Sequence, residues 1–128
     1  MLRIAIIMGS TGPGRKAEAV AKWAYEIAKK RDDVEFELVD IKDFNLPLLD
    51  EPMPPIMGKY THDHTKKWSA KIASFAAYVF VTPEYNHATS GALKNAIDFL
   101  TVSGSTRQPA SLATAAHQAP VLWRICDW

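Results

Sequence analysis

The sequence predicts an α/β fold, a doubly wound parallel sheet whose strand order begins 2-1-3. Apolar runs typical of strands alternate along the chain with amphipathic helical segments, and this alternation favours a parallel sheet with helices on its faces. Two polar loops, at 9–15 and 83–90, follow the first and third strands. Because these loops can be neighbours only if those strands are adjacent, the first strand is expected between the second and third.

The composition indicates a single globular domain of ordinary polarity. The chain has 128 residues, of which 48% are apolar and 23% charged, and its net charge is +1. This balance gives no indication of nucleic acid or of an anionic membrane surface as a partner. No apolar run of about 18 residues predicts a membrane span. The one cysteine, Cys126, excludes an internal disulfide and fits a reducing compartment, so we expect a cytoplasmic protein.

The first unit of the chain is a strand, a glycine-rich loop and a helix. The strand β1 (2–8) is continuously apolar, and the helix α1 (16–30) has an apolar stripe at helical spacing. The loop 9–15, GSTGPGR, offers hydroxyls, an arginine and free amides at the helix start, which predicts a phosphate site. It lacks the Lys-Ser/Thr pair of a Walker A loop and the G-x-G-x-x-G spacing. A mobile turn without a ligand stays open as the alternative.

The second unit contains a strand, a long loop and a helix. The strand β2 (34–41) alternates apolar and polar residues, as half-exposed strands do. Residues 45–57 include four prolines and are interpreted as an extended loop that lines a ligand cleft or carries a partner contact. The helix α2 (63–76) follows, with Trp68 and Ile72 on one apolar side.

Two histidines, His62 and His64, stand at the start of α2. They are candidate metal ligands, but residues two apart on a helix do not face each other, and no third ligand is near in the sequence. We therefore predict no metal site. Capping of the helix by Thr61 or Asp63, beside two solvated histidines, is the preferred interpretation.

The third unit begins with a strand that is apolar on both faces. This strand, β3 (77–82), ends at Pro83, which cannot donate to a sheet ladder. Polar groups collect just beyond that end, where open α/β sheets bind ligands. The helix α3 (91–100) follows, with Ser90 as its predicted N-cap.

Two segments of the chain resemble the signatures of the NADPH-dependent FMN reductase family. The first is the Gly-Ser-Thr sequence of 9–11 with Arg15, followed by VAKW at 20–23. The second is TPEYN at 82–86, then Ser-Gly and LKNAID up to residue 98. The resemblance spans residues 2–100 and implies a flavodoxin-like fold with bound FMN. It also implies hydride transfer from NADH or NADPH through FMN to a flavin, quinone, azo compound or similar small-molecule acceptor.

The resemblance also implies which residues contact the cofactor. Three loop residues would hold the FMN phosphate: Ser10, Thr11 and Arg15. Four residues after β3 would lie along the isoalloxazine ring, largely through backbone groups: Pro83, Glu84, Tyr85 and Asn86. Ser90 and Gly91 would let the chain pass close to the ring.

No side-chain catalyst is predicted, because a flavin carries the redox chemistry itself. Glu84 and His87 are candidate proton carriers, but Glu84 equally fits a carboxylate stabilised by a helix dipole. The family often dimerises through helices near its flavin site, so the resemblance implies a homo-oligomer.

Residues 101–128 depart from the family pattern. We predict an incomplete flavodoxin-like FMN-binding domain at 1–100 and a divergent tail at 101–128, irregular or disordered. A family-like coding segment read in a shifted frame gives the sequence of 101–116, so our hypothesis is a frame slip near residue 100. The C-terminal strands of the sheet would then be missing. The alternative function is accordingly a truncated, non-catalytic remnant or interaction module with weak or no FMN binding.

Overall fold

A computed structural model describes residues 1–54 and 59–100 of the chain. The predictions for the tail at 101–128, and those for the last part of the proline-containing loop, lie outside the described residues. Within the described ranges, no helix is both long enough and apolar enough to cross a membrane.

Three parallel strands form one sheet in the order β2-β1-β3, which confirms the predicted fold class and the position of β1. The strands are β1 (Leu2–Met8), β2 (Val34–Asp40) and β3 (Ala77–Val81), and the helices are α1 (Ala17–Ala28), α2 (Asp63–Ala73) and α3 (Gly91–Asp98). A short 3-10 helix, Ile41–Phe44, follows β2. All three helices end before their predicted ends, and the basic residues 29–31 therefore lie beyond α1 rather than in its last turn.

The two faces of the sheet support separate apolar cores. On one face, α1 packs its small residues Ala17 and Ala21 against the strands. On the other face, α2 and α3 cover β1 and β3. Trp68 of α2 is 1% exposed, and its indole Nε1 donates a hydrogen bond to the Ala96 carbonyl at 2.8 Å. This bond fixes α3 against α2, and so fixes where α3 begins relative to the sheet.

The end of β1 packs tightly against both β3 and α3. The Gly9 amide donates to the Val81 carbonyl at 2.7 Å, and the buried Ser90 hydroxyl donates to the Gly9 carbonyl. A Cβ placed on Gly9 would lie 3.0 Å from Cδ2 of Leu93 and 3.1 Å from the Val81 oxygen. Only glycine fits this approach without displacement of its neighbours, and the approach brings the loop 9–15 against the first turn of α3.

We therefore expect Gly9→Ala to lower the free energy of unfolding by about 1–3 kcal/mol, the usual cost of overpacking. The matched control is Gly12→Ala, because no described atom lies within 4 Å of a Cβ placed there. The control should change stability by no more than about 0.5 kcal/mol. Urea unfolding of the two variants measures the difference, and equal stabilities would contradict the packing described for Gly9.

Candidate functional site

The loops that follow β1 and β3 meet at the carboxyl edge of the sheet, as predicted. Besides its bond to Gly9, the Ser90 hydroxyl accepts from the Leu93 amide at 3.1 Å, so the predicted N-cap of α3 is confirmed. The Thr82 hydroxyl accepts from the Ser90 amide at 3.4 Å. These bonds join three segments at one point and place the loop 9–15 beside the residues that precede α3.

Ser10 in this loop has a buried hydroxyl that makes no hydrogen bond to any described residue. Its side chain is 4% exposed, and its Oγ has no hydrogen-bond partner among the described residues. The loop then enters α1, where the side chain of Lys16 at the N-cap position does not cap the helix. A buried hydroxyl without a partner costs free energy, and helix-start amides favour anions. An anionic oxygen bound in this loop would satisfy both.

Arg15 closes the same loop through a nearly buried ion pair. Its guanidinium donates to both carboxylate oxygens of Asp40, at 2.7 Å to Oδ1, and to the Ser10 carbonyl at 2.6 Å. The side chains of Arg15 and Asp40 are 11% and 14% exposed. Burial by itself would raise the pKa of Asp40, but the hydrogen bond from Arg15 holds that pKa below its ordinary value. Arg15 thus ties the loop to the end of β2, and its predicted contact with phosphate stays a prediction.

Sequence analysis missed Asp40 as a site residue. The signal that could have revealed it is the strand register, because Met8 at the end of β1 pairs with Asp40 at the end of β2. In the predicted 2-1-3 order, an acidic residue at that position lies one strand away from the loop that carries Arg15.

The segment after β3 forms a tight two-residue turn. Tyr85 and Ala88 exchange backbone hydrogen bonds of 3.0 and 3.1 Å, and Asn86 and His87 between them have φ values of 54° and 63°. Positive φ at both central positions is typical of a type I′ turn, in which asparagine is tolerated well. Tyr85, the residue that opens this turn, is 57% exposed.

The remaining predicted residues lie along the same edge. Glu84 is half-buried, and its Oε1 is 3.4 Å from Nδ1 of His87, whose side chain is 98% exposed. Gly91 is exposed, and no described atom lies within 4 Å of a Cβ placed on it, so a ligand has room to approach its backbone. The structure brings the nine predicted residues into two adjoining segments, while their contacts with a cofactor stay predictions.

An open cleft of about 240 Å³ adjoins the loop 9–15. Its walls come from the loop, from the segment after β2 and from α3: Thr11, Ile41, Lys42, Asn45, Leu46, Ala92, Asn95 and Ala96. The Asn95 amide donates to the Pro47 carbonyl at 2.7 Å and accepts from the Leu49 amide at 3.0 Å. These two bonds hold the proline-containing loop at the cleft, in agreement with its interpretation as a cleft-lining segment.

The start of α2 differs from the prediction. The helix is capped neither by Thr61 nor by Asp63, because His62 is the N-cap residue and makes no side-chain capping bond. Instead, the Glu51 carboxylate accepts from the amides of Thr61 and His62 at 2.9 and 3.1 Å. The side chain that caps the start of α2 is therefore Glu51, which lies ten positions before Thr61 in the loop after β2.

The surroundings of the two histidines also differ from what was predicted. His62 is extended rather than helical, so its ring lies alongside that of His64, with centroids 5.1 Å apart. Ligand groups distant in sequence are close in space, since Asp50 and Glu51 approach the histidines from the loop.

The pKa of the Glu51 carboxyl is strongly lowered in the folded chain. Burial by itself would raise the pKa of its carboxyl, but the Thr65 hydroxyl and the amides of Thr61 and His62 lower that pKa to about 2, from an ordinary value of 4.5. Because the folded pKa lies below the unfolded one, the ionised carboxylate stabilises the fold above about pH 4.5. That contribution is lost as the pH falls through about 2.

We therefore expect the stability of the Glu51→Gln variant to depend less on pH in the acid range than the stability of the wild type does. The difference in Tm between wild type and variant should be largest above pH 4.5 and should shrink as the pH falls toward 2. Thermal unfolding over this pH range, with Glu26→Gln on the exposed side of α1 as a control, measures the effect. A difference independent of pH would contradict the capping role.

Comparison with known proteins agrees with this fold. The family model for NADPH-dependent FMN reductase matches residues 2–119, further along the chain than the resemblance that ended at residue 100. An NAD(P)H-dependent FMN reductase of a Nectria species is 45% identical over 106 residues, which cover 78% of this chain and 53% of the relative. A protein of the same description from Schizosaccharomyces pombe is 44% identical over 100 residues, covering 77% of this chain and 50% of the relative.

Two solved structures share the fold at low sequence identity. The flavoenzyme NAD(P)H:(acceptor) oxidoreductase FerB of Paracoccus denitrificans superposes with a TM-score of 0.62 at 22% identity, over 85% of this chain and 55% of that one. An NADH:FMN oxidoreductase in its apo form gives a TM-score of 0.59 at 21% identity, over 95% of this chain and 68% of that one. The chain spans about half the length of the curated relatives it matches. It belongs to the NADPH-dependent FMN reductase family.

Proposed function

We propose that this chain acts as an FMN-dependent NAD(P)H oxidoreductase that passes hydride from NADH or NADPH through FMN to a flavin, quinone or similar small-molecule acceptor. Family membership supports the reaction type. The observation that carries the proposal to this chain is the buried Ser10 hydroxyl, which has no partner among the described residues and lies in the loop that the family resemblance assigns to the FMN phosphate.

The loop 9–15 fits a phosphate group. Ser10 Oγ and the Thr11 hydroxyl are available on one short segment, and the amides of the first helical turn follow directly. The Arg15–Asp40 pair fixes the loop without adding net charge, so an incoming anion meets no uncompensated carboxylate there. The predicted phosphate contact of Arg15 would use donors of the guanidinium that Asp40 and Ser10 leave over.

The segment 83–91 fits the flavin ring. The turn at Asn86 and His87 leaves Tyr85 exposed in the segment that the family resemblance assigns to the isoalloxazine ring. Ser90 would position the start of α3 rather than bind the flavin through its hydroxyl, since that hydroxyl is already bonded to Gly9 and Leu93. When bound, FMN supplies the hydride-transfer chemistry, and these residues supply orientation and exclude water from one side of the ring.

We propose further that the protein is a cytoplasmic homo-oligomer. The exposed face of α1 supports self-association, because Trp23 and Ile27 lie one helical turn apart and are 60% and 50% exposed. The reducing compartment rests on cysteine usage, with Cys126 as the one cysteine.

The proposal is tested with FMN and two serine variants of the full chain. Ser10→Ala should weaken FMN binding about 10- to 100-fold, the value of one hydrogen bond to a charged group. Because the hydroxyl has no hydrogen-bond partner among the described residues, this variant should keep the wild-type free energy of unfolding to within about 0.5 kcal/mol. Quenching of flavin fluorescence measures affinity, and urea unfolding measures stability.

The matched control is Ser90→Ala, which removes a hydroxyl with two partners. It should lower the free energy of unfolding by about 1–3 kcal/mol. If Ser10→Ala instead destabilised the fold and left FMN affinity unchanged, the phosphate assignment would be wrong. A folded wild-type chain that binds no FMN would favour the alternative, a non-catalytic remnant or interaction module.

A further inference from the structure

A group of ligand-bearing side chains outside the nine residues predicted to contact FMN lies where the loop after β2 passes the start of α2. Nε2 of His64 is 3.0 Å from Oδ1 of Asp50, and Nε2 of His62 is 3.7 Å from Oδ2 of the same carboxylate. Single ligand atoms of Asp50, Glu51 and His62 lie within 4.8 Å of one another. We name these four residues the His–carboxylate cluster.

We propose that the His–carboxylate cluster binds a divalent transition-metal ion of the zinc type. Imidazole nitrogens and carboxylate oxygens together are the ligand set that such ions prefer. A tetrahedral ion with bonds of about 2.0–2.1 Å holds its ligand atoms about 3.3–3.4 Å apart. Each oxygen of the Asp50 carboxylate lies near that spacing from one imidazole nitrogen, Oδ1 at 3.0 Å from His64 and Oδ2 at 3.7 Å from His62. A bound ion would replace the hydrogen bonds that Nε2 of His62 makes with the Asp50 carbonyl at 3.2 Å and Nε2 of His64 with Oδ1.

The cluster is accessible, and one of its carboxylates keeps free coordination capacity. The side chains of His62, His64 and Asp50 are 43%, 27% and 34% exposed, so an ion can enter from solvent. Oδ2 of Asp50 keeps its lone pairs, because the described hydrogen bond to that carboxylate is at Oδ1, whereas Glu51 already accepts from Thr61, His62 and Thr65. Two carboxylates also provide the negative charge that offsets a divalent ion.

Packing pre-arranges the histidine rings. The His64 ring meets Phe99 of α3 edge-on, with centroids 5.9 Å apart and planes at 87°. The His62 ring lies beside it, with planes at 10°. Since the ligands come from 50–51 and from 62–64, a bound ion would link the loop to α2 and stabilise the folded chain.

The full chain without a histidine tag, stripped with chelator, provides the test. Titration with Zn²⁺ by calorimetry should show one ion per chain, and Co²⁺ should give the visible absorption of a tetrahedral site. Zn²⁺ should also raise Tm. We expect His62→Ala and His64→Ala to weaken Zn²⁺ binding at least about tenfold and to abolish the rise in Tm. His87→Ala, whose side chain is 98% exposed beside the other site, is the matched control and should bind as wild type does.

Two results would overturn the proposal. One is a wild-type chain that takes up no Zn²⁺ or Co²⁺, in which case hydrogen bonds alone explain the cluster. The other is a His62→Ala/His64→Ala double variant that stays folded by circular dichroism and binds Zn²⁺ as tightly as wild type. Neither readout involves flavin, so the outcome is independent of the proposed oxidoreductase function.

Discussion

The contact between Ser90 and Gly9 is the interaction on which the arrangement of the site depends. One buried hydroxyl caps α3 through the Leu93 amide and donates to the carbonyl at the end of β1. The approach requires glycine at position 9, where a Cβ would meet Leu93 and the Val81 carbonyl. This contact adds to the bond between the Gly9 amide and the Val81 carbonyl and links the loop after β1 directly to the start of α3.

The opposite side of the loop is fixed by electrostatics. Arg15 reaches across to Asp40 at the end of β2, so the loop 9–15 is held from both neighbouring strands. A pre-shaped loop binds an anion at a smaller ordering cost than a mobile turn would. Because the loop is held in place, its backbone does not turn the buried Ser10 hydroxyl toward water, and the group stays without a described hydrogen-bond partner.

Local signals in the sequence predicted the strands, the helices and the Ser90 cap, since each depends on near neighbours in the chain, and the 2-1-3 order followed from the positions of the two polar loops. Three features were missed, of which two depend on contacts between distant segments and one on the local backbone conformation at His62. Asp40 meets Arg15 only through the register of β1 and β2. Glu51 caps α2 across the loop, and His62 lies beside His64 because it is extended. Periodicity carries no information about such pairings, and for His62 the assumption of a regular helix pointed the wrong way.

The central claim is that FMN binds where the loop after β1 meets the segment before α3. Amide chemical shifts of the isotopically labelled chain, followed by NMR during addition of FMN, test it most directly. The account predicts that the shifts change mainly in two stretches, 10–16 and 84–91, and that the amides of 50–51 and 62–64 keep their positions. Changes centred elsewhere in the described chain, or none at all with saturating FMN, would contradict it.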